Sequence, residues 1–215
     1  IYPGDRLIAF IVTIAHLSAT GGRQWSADAN EVFEEGLRFP VLKLARAGTV
    51  DQLILDILTV NVRLPGQVRG DINAMMIAIK VAERRLREMM AEYALDDLED
   101  VAEAIYQVSE DALRREIESL PKGTYIGEVE ADGWEEPVRI RAAVTISDTG
   151  IDISYAGSSA QSRYGINESY NHTYAYTVYP FKCMLCPDIP NNEGFLRLFT
   201  VDAPEGTIVN SRPPA

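Results

Sequence analysis

The sequence predicts an α+β fold in which mixed or antiparallel sheet elements flank a long antiparallel helical hairpin. Three observations carry this expectation. Apolar residues recur at helical spacing through two consecutive stretches, 68–93 and 98–120, joined by a short polar turn. From Gly123 the apolar period drops to two, as in half-buried strands. The first fifty residues hold short β-rich runs punctuated by glycine and proline. The expected organisation is a strand and site-loop segment over 1–48, the helical hairpin over 49–122, and a β-meander with a buried helix over 123–215.

Taken in order, the run Leu7-Ile8-Ala9-Phe10-Ile11-Val12-Thr13-Ile14-Ala15 is too short to span a bilayer and rich in β-branched residues. A buried central strand is therefore expected. It ends in His16-Leu17-Ser18-Ala19-Thr20-Gly21-Gly22, where a rigid strand end could hold a side chain and glycine could let backbone approach a ligand. His16 is thus a candidate site residue, although a histidine so placed serves equally as a hydrogen-bonded structural group. Residues 23–30 are polar and irregular, and Glu34-Glu35-Gly36-Leu37-Arg38-Phe39-Pro40 reads as a loop entering a short strand over 41–44, broken by Ala47-Gly48. Thr49 with Gln52 has the form of a capping box for a short helix ending near Leu58.

After the punctuation of Leu64-Pro65-Gly66, a long amphipathic helix carries Val68, Ile72, Met75, Met76, Ile79, Leu86 and Met90 on its apolar stripe. The methionines fall on the stripe and fill core, and Lys80, Arg84, Arg85 and Arg87 alternate with Glu83 and Glu88 as a salt-bridged solvent face. Asp96 with Glu99 caps the second long helix, which Pro121 and Gly123 stop. Strands are expected over 124–130, 137–147 and 150–155. An aromatic-rich run over 170–186 has the apolar spacing of a buried helix, and further strands are expected over 195–201 and 207–209.

Composition narrows the function. Twenty Lys and Arg against 32 Asp and Glu leave a net charge of −12, which repels phosphate backbones and anionic lipid surfaces, so neither nucleic acid nor membrane is an expected partner. Only two cysteines occur, Cys183 and Cys186. They form no disulfide framework, have no second pair for zinc, and read as a buried thiol pair on a helix in a cytoplasmic protein. No Walker loop and no strand-linked GxGxxG is present, so any ATP is held elsewhere. The chain opens on Ile1 without a signal peptide and closes on Ser211-Arg212-Pro213-Pro214-Ala215, which suggests a piece of a longer protein. The polar residues that resist a structural explanation are His16, Asp28, Glu35, Asn167, His172, Asn192 and Glu193, each in or beside a loop flanking an apolar element. A carboxylate such as Glu35 or Glu193 near a histidine could act as general base or metal ligand.

Several stretches together carry a resemblance. They are Ala15-His16 with Gly21-Gly22, Glu35-Gly36-Leu37-Arg38-Phe39-Pro40-Val41-Leu42-Lys43-Leu44, Asn61-Val62-Arg63, Arg69-Gly70-Asp71, Glu83-Arg84-Arg85-Leu86 and Leu120-Pro121-Lys122-Gly123-Thr124-Tyr125. They continue through Ile166-Asn167, Asp188-Ile189-Pro190-Asn191-Asn192-Glu193-Gly194 and Ala203-Pro204-Glu205-Gly206 to Asn210-Ser211-Arg212-Pro213-Pro214-Ala215. In order and interval the chain resembles the hydantoinase B/oxoprolinase family along essentially its whole length.

The resemblance implies one part of a B-type subunit that works with a hydantoinase A-type partner, which binds ATP. It implies ATP-dependent opening of a cyclic amide (a hydantoin, 5-oxoproline or a lactam) or, in the related ketone carboxylases, carboxylation of acetone or acetophenone. In both, the partner phosphorylates a carbonyl or enol oxygen and the activated species is then attacked. His16, Glu35, Asn167 and Glu193 are the catalytic candidates that the matched motifs contain.

Relatives commonly read His-His-x-Asp-x-Gly-Gly where this chain reads His16-Leu17-Ser18-Ala19-Thr20-Gly21-Gly22. In the ketone carboxylases the His and Asp of this motif are associated with a divalent metal. A single imidazole does not hold a metal tightly. Either Glu35 or Asp28 completes a site at His16, or no metal binds there, and a scaffold subunit with a degenerate site is the competing expectation.

Overall fold

The computed structural model describes residues 1–2, 5–18, 20–23 and 26–214. It is an α+β structure that divides into two compact units, Ile1–Trp25 with Phe33–Glu99 and Ser26–Val32 with Asp100–Ala215. Among the described residues no helix is long and apolar enough to cross a membrane.

In the first unit, β1 (Ala45–Arg46) and β2 (Thr49–Val50) pair as a minimal hairpin, followed by α1 (Gln52–Val60) and α2 (Pro65–Glu92). Ala47 and Gly48, both at positive φ, make the two-residue turn that such a hairpin requires. The strand expected over 41–44 is therefore displaced to 45–46, and Thr49 goes to β2 instead of capping. Asp51 caps α1, its carboxylate accepting from Leu53 N at 3.0 Å. Helix α2 starts on Pro65, whose missing N–H costs nothing in the first turn, and runs 28 residues. Leu55, Leu58, Val68 and Ile72 form the buried cluster of this unit, and Leu17, Leu37 and Met75 pack on it. The basic residues of α2 are ion-paired as expected, Arg85 to Glu88 at 3.0 Å and Arg87 to Glu83 at 2.8 Å.

The central strand expected over 7–15 does not form. Among the described residues no strand pairs with this segment, and Phe10, Val12 and Ile14 are 80%, 76% and 91% exposed. Its backbone turns instead toward the chain start, with Ile8 N donating to Ile1 O at 3.0 Å and the Ile1 ammonium donating to Ala9 O at 2.7 Å. An apolar run supplies the propensity for a strand, but a ladder partner is what makes one.

The second unit holds α3 (Glu99–Ser119), β3 (Gly123–Ala131), β4 (Val138–Ile146), β5 (Ile151–Ser154), α4 (Tyr170–Leu185), α5 (Glu193–Leu196) and β6 (Phe199–Asp202). Asp97, not Asp96, receives the Glu99 amide ahead of α3. The sheet order is β3-β4-β5-β6, antiparallel through the meander and parallel between β5 and β6. Ile151 and Ile153 of β5 and Phe199 and Val201 of β6 share the buried face, packing with Leu113 and Ile117 of α3 and Val178 of α4.

Two further expectations are corrected in this unit. The segment expected as a strand over 195–201 begins as helix α5, because Asn192 caps it through Phe195 N and buries Phe195 completely; only its second half enters the sheet. Residues 207–209 contribute isolated bridges from Thr207 in place of a strand. The expected buried thiol pair is half right: Cys186 is buried, and that burial pushes its thiol pKa up, whereas Cys183 is exposed on α4.

Candidate active site

Two glycines build the candidate site of the first unit. At Gly22, φ is +63° and a Cβ would lie 2.3 Å from Gly36 N and 2.5 Å from Glu34 O. Gly36, at φ +99°, meets Thr20 O in the same way, at 2.7 Å. Only glycine permits both the backbone conformation and the approach. Arg23 N donates to Glu34 O at 2.7 Å and Leu37 N to Thr20 O at 3.1 Å, so the loop following His16 and the loop bearing Glu35 are joined backbone to backbone. The side chains of His16 and Glu35 are both exposed. Ser18 Oγ is buried without a hydrogen-bond partner among the described residues.

Leu17, next to His16, packs against the α1–α2 cluster. Its side chain has been recruited to the core, and Ala19 lies outside the described residues. Among the described residues no group of three His, Cys, Asp or Glu side chains converges. Asp28 belongs to the second unit, where its carboxylate accepts from Ser26 Oγ.

In the second unit the candidates separate by how their polar atoms are used. Asn167 is committed to loop shape: its Oδ1 accepts from Ser162 N at 2.7 Å and its Nδ2 donates to Ser162 O and Tyr164 O at 2.7 and 3.0 Å. Asn192 is committed likewise, capping α5 and donating to the buried Ser109 Oγ at 2.8 Å. Gly194 sits directly on α3, since a Cβ there would lie 2.0 Å from Tyr106 O. This backbone contact fixes Glu193, which is exposed at the start of α5. Burial first, and then the negative charges of Glu193 and Tyr170, push the Tyr174 phenol pKa up.

Tyr174 lines a concavity of about 580 Å³, which Tyr176, Val178, Tyr179, Asn191 and Leu196 also line. It is mostly apolar with a few polar tips, the make-up of a small-molecule pocket. Lys182 contributes its stem to the wall, while its ammonium donates to Cys186 O at 2.5 Å and Pro187 O at 3.0 Å and so closes the C-terminus of α4. At the other end of α4, Ser169 caps the helix and Glu168 Oε2 lies 2.5 Å from His172 Nδ1. Sequence reasoning singled out His172 but not Glu168. The available signal was their i,i+4 spacing across the Ser169 cap.

Comparison with known proteins assigns the chain to a family. The hydantoinase B/oxoprolinase family model matches residues 1–215, and the chain belongs to that family. It is 30% identical, over 98% of its length, to the provisionally named B component of a D-/L-hydantoinase from Pseudomonas sp. (strain NS671), and 29% identical over its full length to the beta chain of the caprolactamase of Pseudomonas jessenii. It spans 39% and 38% of those two proteins. The crystal structure of the ATP-dependent caprolactamase from Pseudomonas jessenii superposes on 87% of this chain and 33% of that one, with a TM-score of 0.81 and 28% identity. A nucleotide-free acetone carboxylase structure shares the fold over 90% of this chain and 28% of that one, with a TM-score of 0.72 and 18% identity.

Proposed function

We propose that this chain is part of the B-type subunit of a cytoplasmic ATP-dependent enzyme that opens a cyclic amide after an A-type partner has phosphorylated the amide carbonyl oxygen. One observation carries the reading. The relatives that align along nearly all of the chain at 29–30% identity are named for a hydantoin and for caprolactam, both of them cyclic amides. Phosphorylation turns a poor leaving oxygen into a good one, and the role left for the B-type side is to hold the activated ring and admit water to its carbon. In the first unit His16 and Glu35 are the side chains proposed for catalysis, and within the second unit, taken by itself, Glu193 is. Asn167 acts through the 162–167 loop that it shapes.

Ketone carboxylation is the competing reading, supported by the shared fold with acetone carboxylase. The lower identity of that match, 18% against 28% for the caprolactamase, places it second. The test is substrate-dependent ATP hydrolysis by the full-length protein purified with its partner. Hydantoin, 5-oxoproline, a lactam and a ketone are each supplied with and without bicarbonate. Cyclic-amide consumption without bicarbonate is the expected result; turnover of the ketone alone, and only with bicarbonate, selects the carboxylase.

A further inference from the structure

We propose that Glu168 and His172 form a carboxylate–imidazole pair that moves protons during ring opening, beside an aromatic cavity that takes the ring. The inference rests on the cyclic-amide reading above and assigns it a proton-transfer group. Glu168 Oε2 lies 2.5 Å from His172 Nδ1. That contact sets the carboxylate beside Nδ1 and leaves Nε2 as the exchanging atom, for which no hydrogen bond is found among the described residues. The pair is accessible, its side chains 47% and 48% exposed.

Its frame is rigid. Glu168 N donates to Ile208 O at 2.8 Å, Glu168 O accepts from Ser211 N at 2.9 Å, and the buried Thr173 Oγ1 donates to Val209 O at 2.6 Å. The two residues are thus pinned on both sides of the Ser169 cap, the support that a preorganised catalytic pair requires. The His172 ring packs on Tyr176 with centroids 4.3 Å apart, and Tyr176 also lines the 580 Å³ cavity with Tyr174 and Tyr179. A cavity of this size and largely apolar lining has room for a small ring, and Tyr176 joins its wall to the imidazole.

The chemistry balances with ATP on the partner and water as the only co-reactants. The O-phosphorylated cyclic imidate is attacked at its carbon by water. As the C–O bond forms and the C=N pair moves onto nitrogen, Nε2 takes the water proton and passes it to that nitrogen. A second relay carries the remaining hydroxyl proton to the same nitrogen as the C–N bond breaks. The products are a primary amine and an acyl phosphate, which a second water converts to carboxylate and phosphate. Imidazole returns to its neutral form after each transfer. In this scheme His172 is catalytic and Glu168 is a positioning residue.

The alternative role for the same pair is a surface ion pair that steadies a helix start. The deciding experiment uses the full-length protein with its ATP-binding partner and follows amine release from a lactam. His172→Gln is expected to lower kcat about 100-fold with thermal unfolding unchanged, and added imidazole is expected to restore part of the activity of His172→Ala. Glu168→Gln is expected to lower kcat about tenfold while KM holds. Variants that lose thermal stability but keep kcat within about twofold of the wild type overturn the inference and leave the cyclic-amide reading standing. A wild-type enzyme that opens no cyclic amide overturns both.

Discussion

The two units hold their candidate residues in opposite ways. In the first, the framework is backbone on backbone: Gly22 and Gly36 bring two loops together, and His16 and Glu35 stand out from the junction with exposed side chains. In the second, side chains do the holding except at Glu193, which the Gly194 backbone contact fixes. Asn167 shapes one loop, and Asn192 caps α5 and grips Ser109. A junction made of backbone fails only when a Cβ is forced into it, whereas one made of side chains loses its parts one hydrogen bond at a time.

The largest effect is expected where the second unit's loop meets its core. Phe195 is fully buried and its ring lies 5.2 Å from that of Phe199. Phe195→Ala is expected to cost about 3–5 kcal/mol in chemical denaturation. If the cost stays below about 1 kcal/mol, α5 is not anchored by packing as described. Next is Gly22→Ala, which places a methyl 2.3 Å from Gly36 N in a left-handed conformation. It is expected to destabilise by about 1–3 kcal/mol and to lower turnover, since both loops must part. An alanine variant with wild-type stability and activity would show that the loops are not joined.

Asn192→Ala removes one cap and leaves Ser109 Oγ without the donor from Asn192, for an expected loss of about 1–2 kcal/mol read from the unfolding midpoint. Asn192→Asp, which keeps the cap but not the amide donor, apportions that loss between the two contacts. The smallest effect lies at the surface. Arg197 donates to both carboxylate oxygens of Glu103, at 2.7 and 2.9 Å, and holds that group below its usual carboxylate range. A lowered folded-state value adds stability above the unfolded pKa and loses it as pH falls through the folded one. Glu103→Gln is therefore expected to lower the unfolding midpoint slightly at neutral and alkaline pH and to leave it unchanged at the acid limit, where the wild-type carboxyl is protonated in both states.

Regular periodicity made much of the second unit legible. The three meander strands follow from alternation, and α4 from its apolar spacing and the Ser169 start. Helix α2 was equally readable in the first unit, where its apolar stripe meets α1. The errors share a cause, which is that tertiary partners override local propensity. Residues 7–15 have strand composition but no ladder partner among the described residues, and residues 193–196 have apolar content that an asparagine cap turns into helix. For the site, the motifs pointed at loops but not at the division of labour within them. Asn167 and Asn192 have the same loop setting in sequence as Glu193, and only their hydrogen bonds reveal that they shape structure. Leu17 is explained by the α1–α2 cluster, a packing relation that no motif encodes.

The central claim is that this chain serves an ATP-coupled ring opening. Its most direct test is the stoichiometry of ATP consumed to amine released by the full-length protein with its partner, on a lactam and without bicarbonate. The account predicts that amine release requires ATP and that ATP hydrolysis rises when the lactam is added. ATP hydrolysis indifferent to any cyclic amide, or coupled only to a ketone in the presence of bicarbonate, would contradict it.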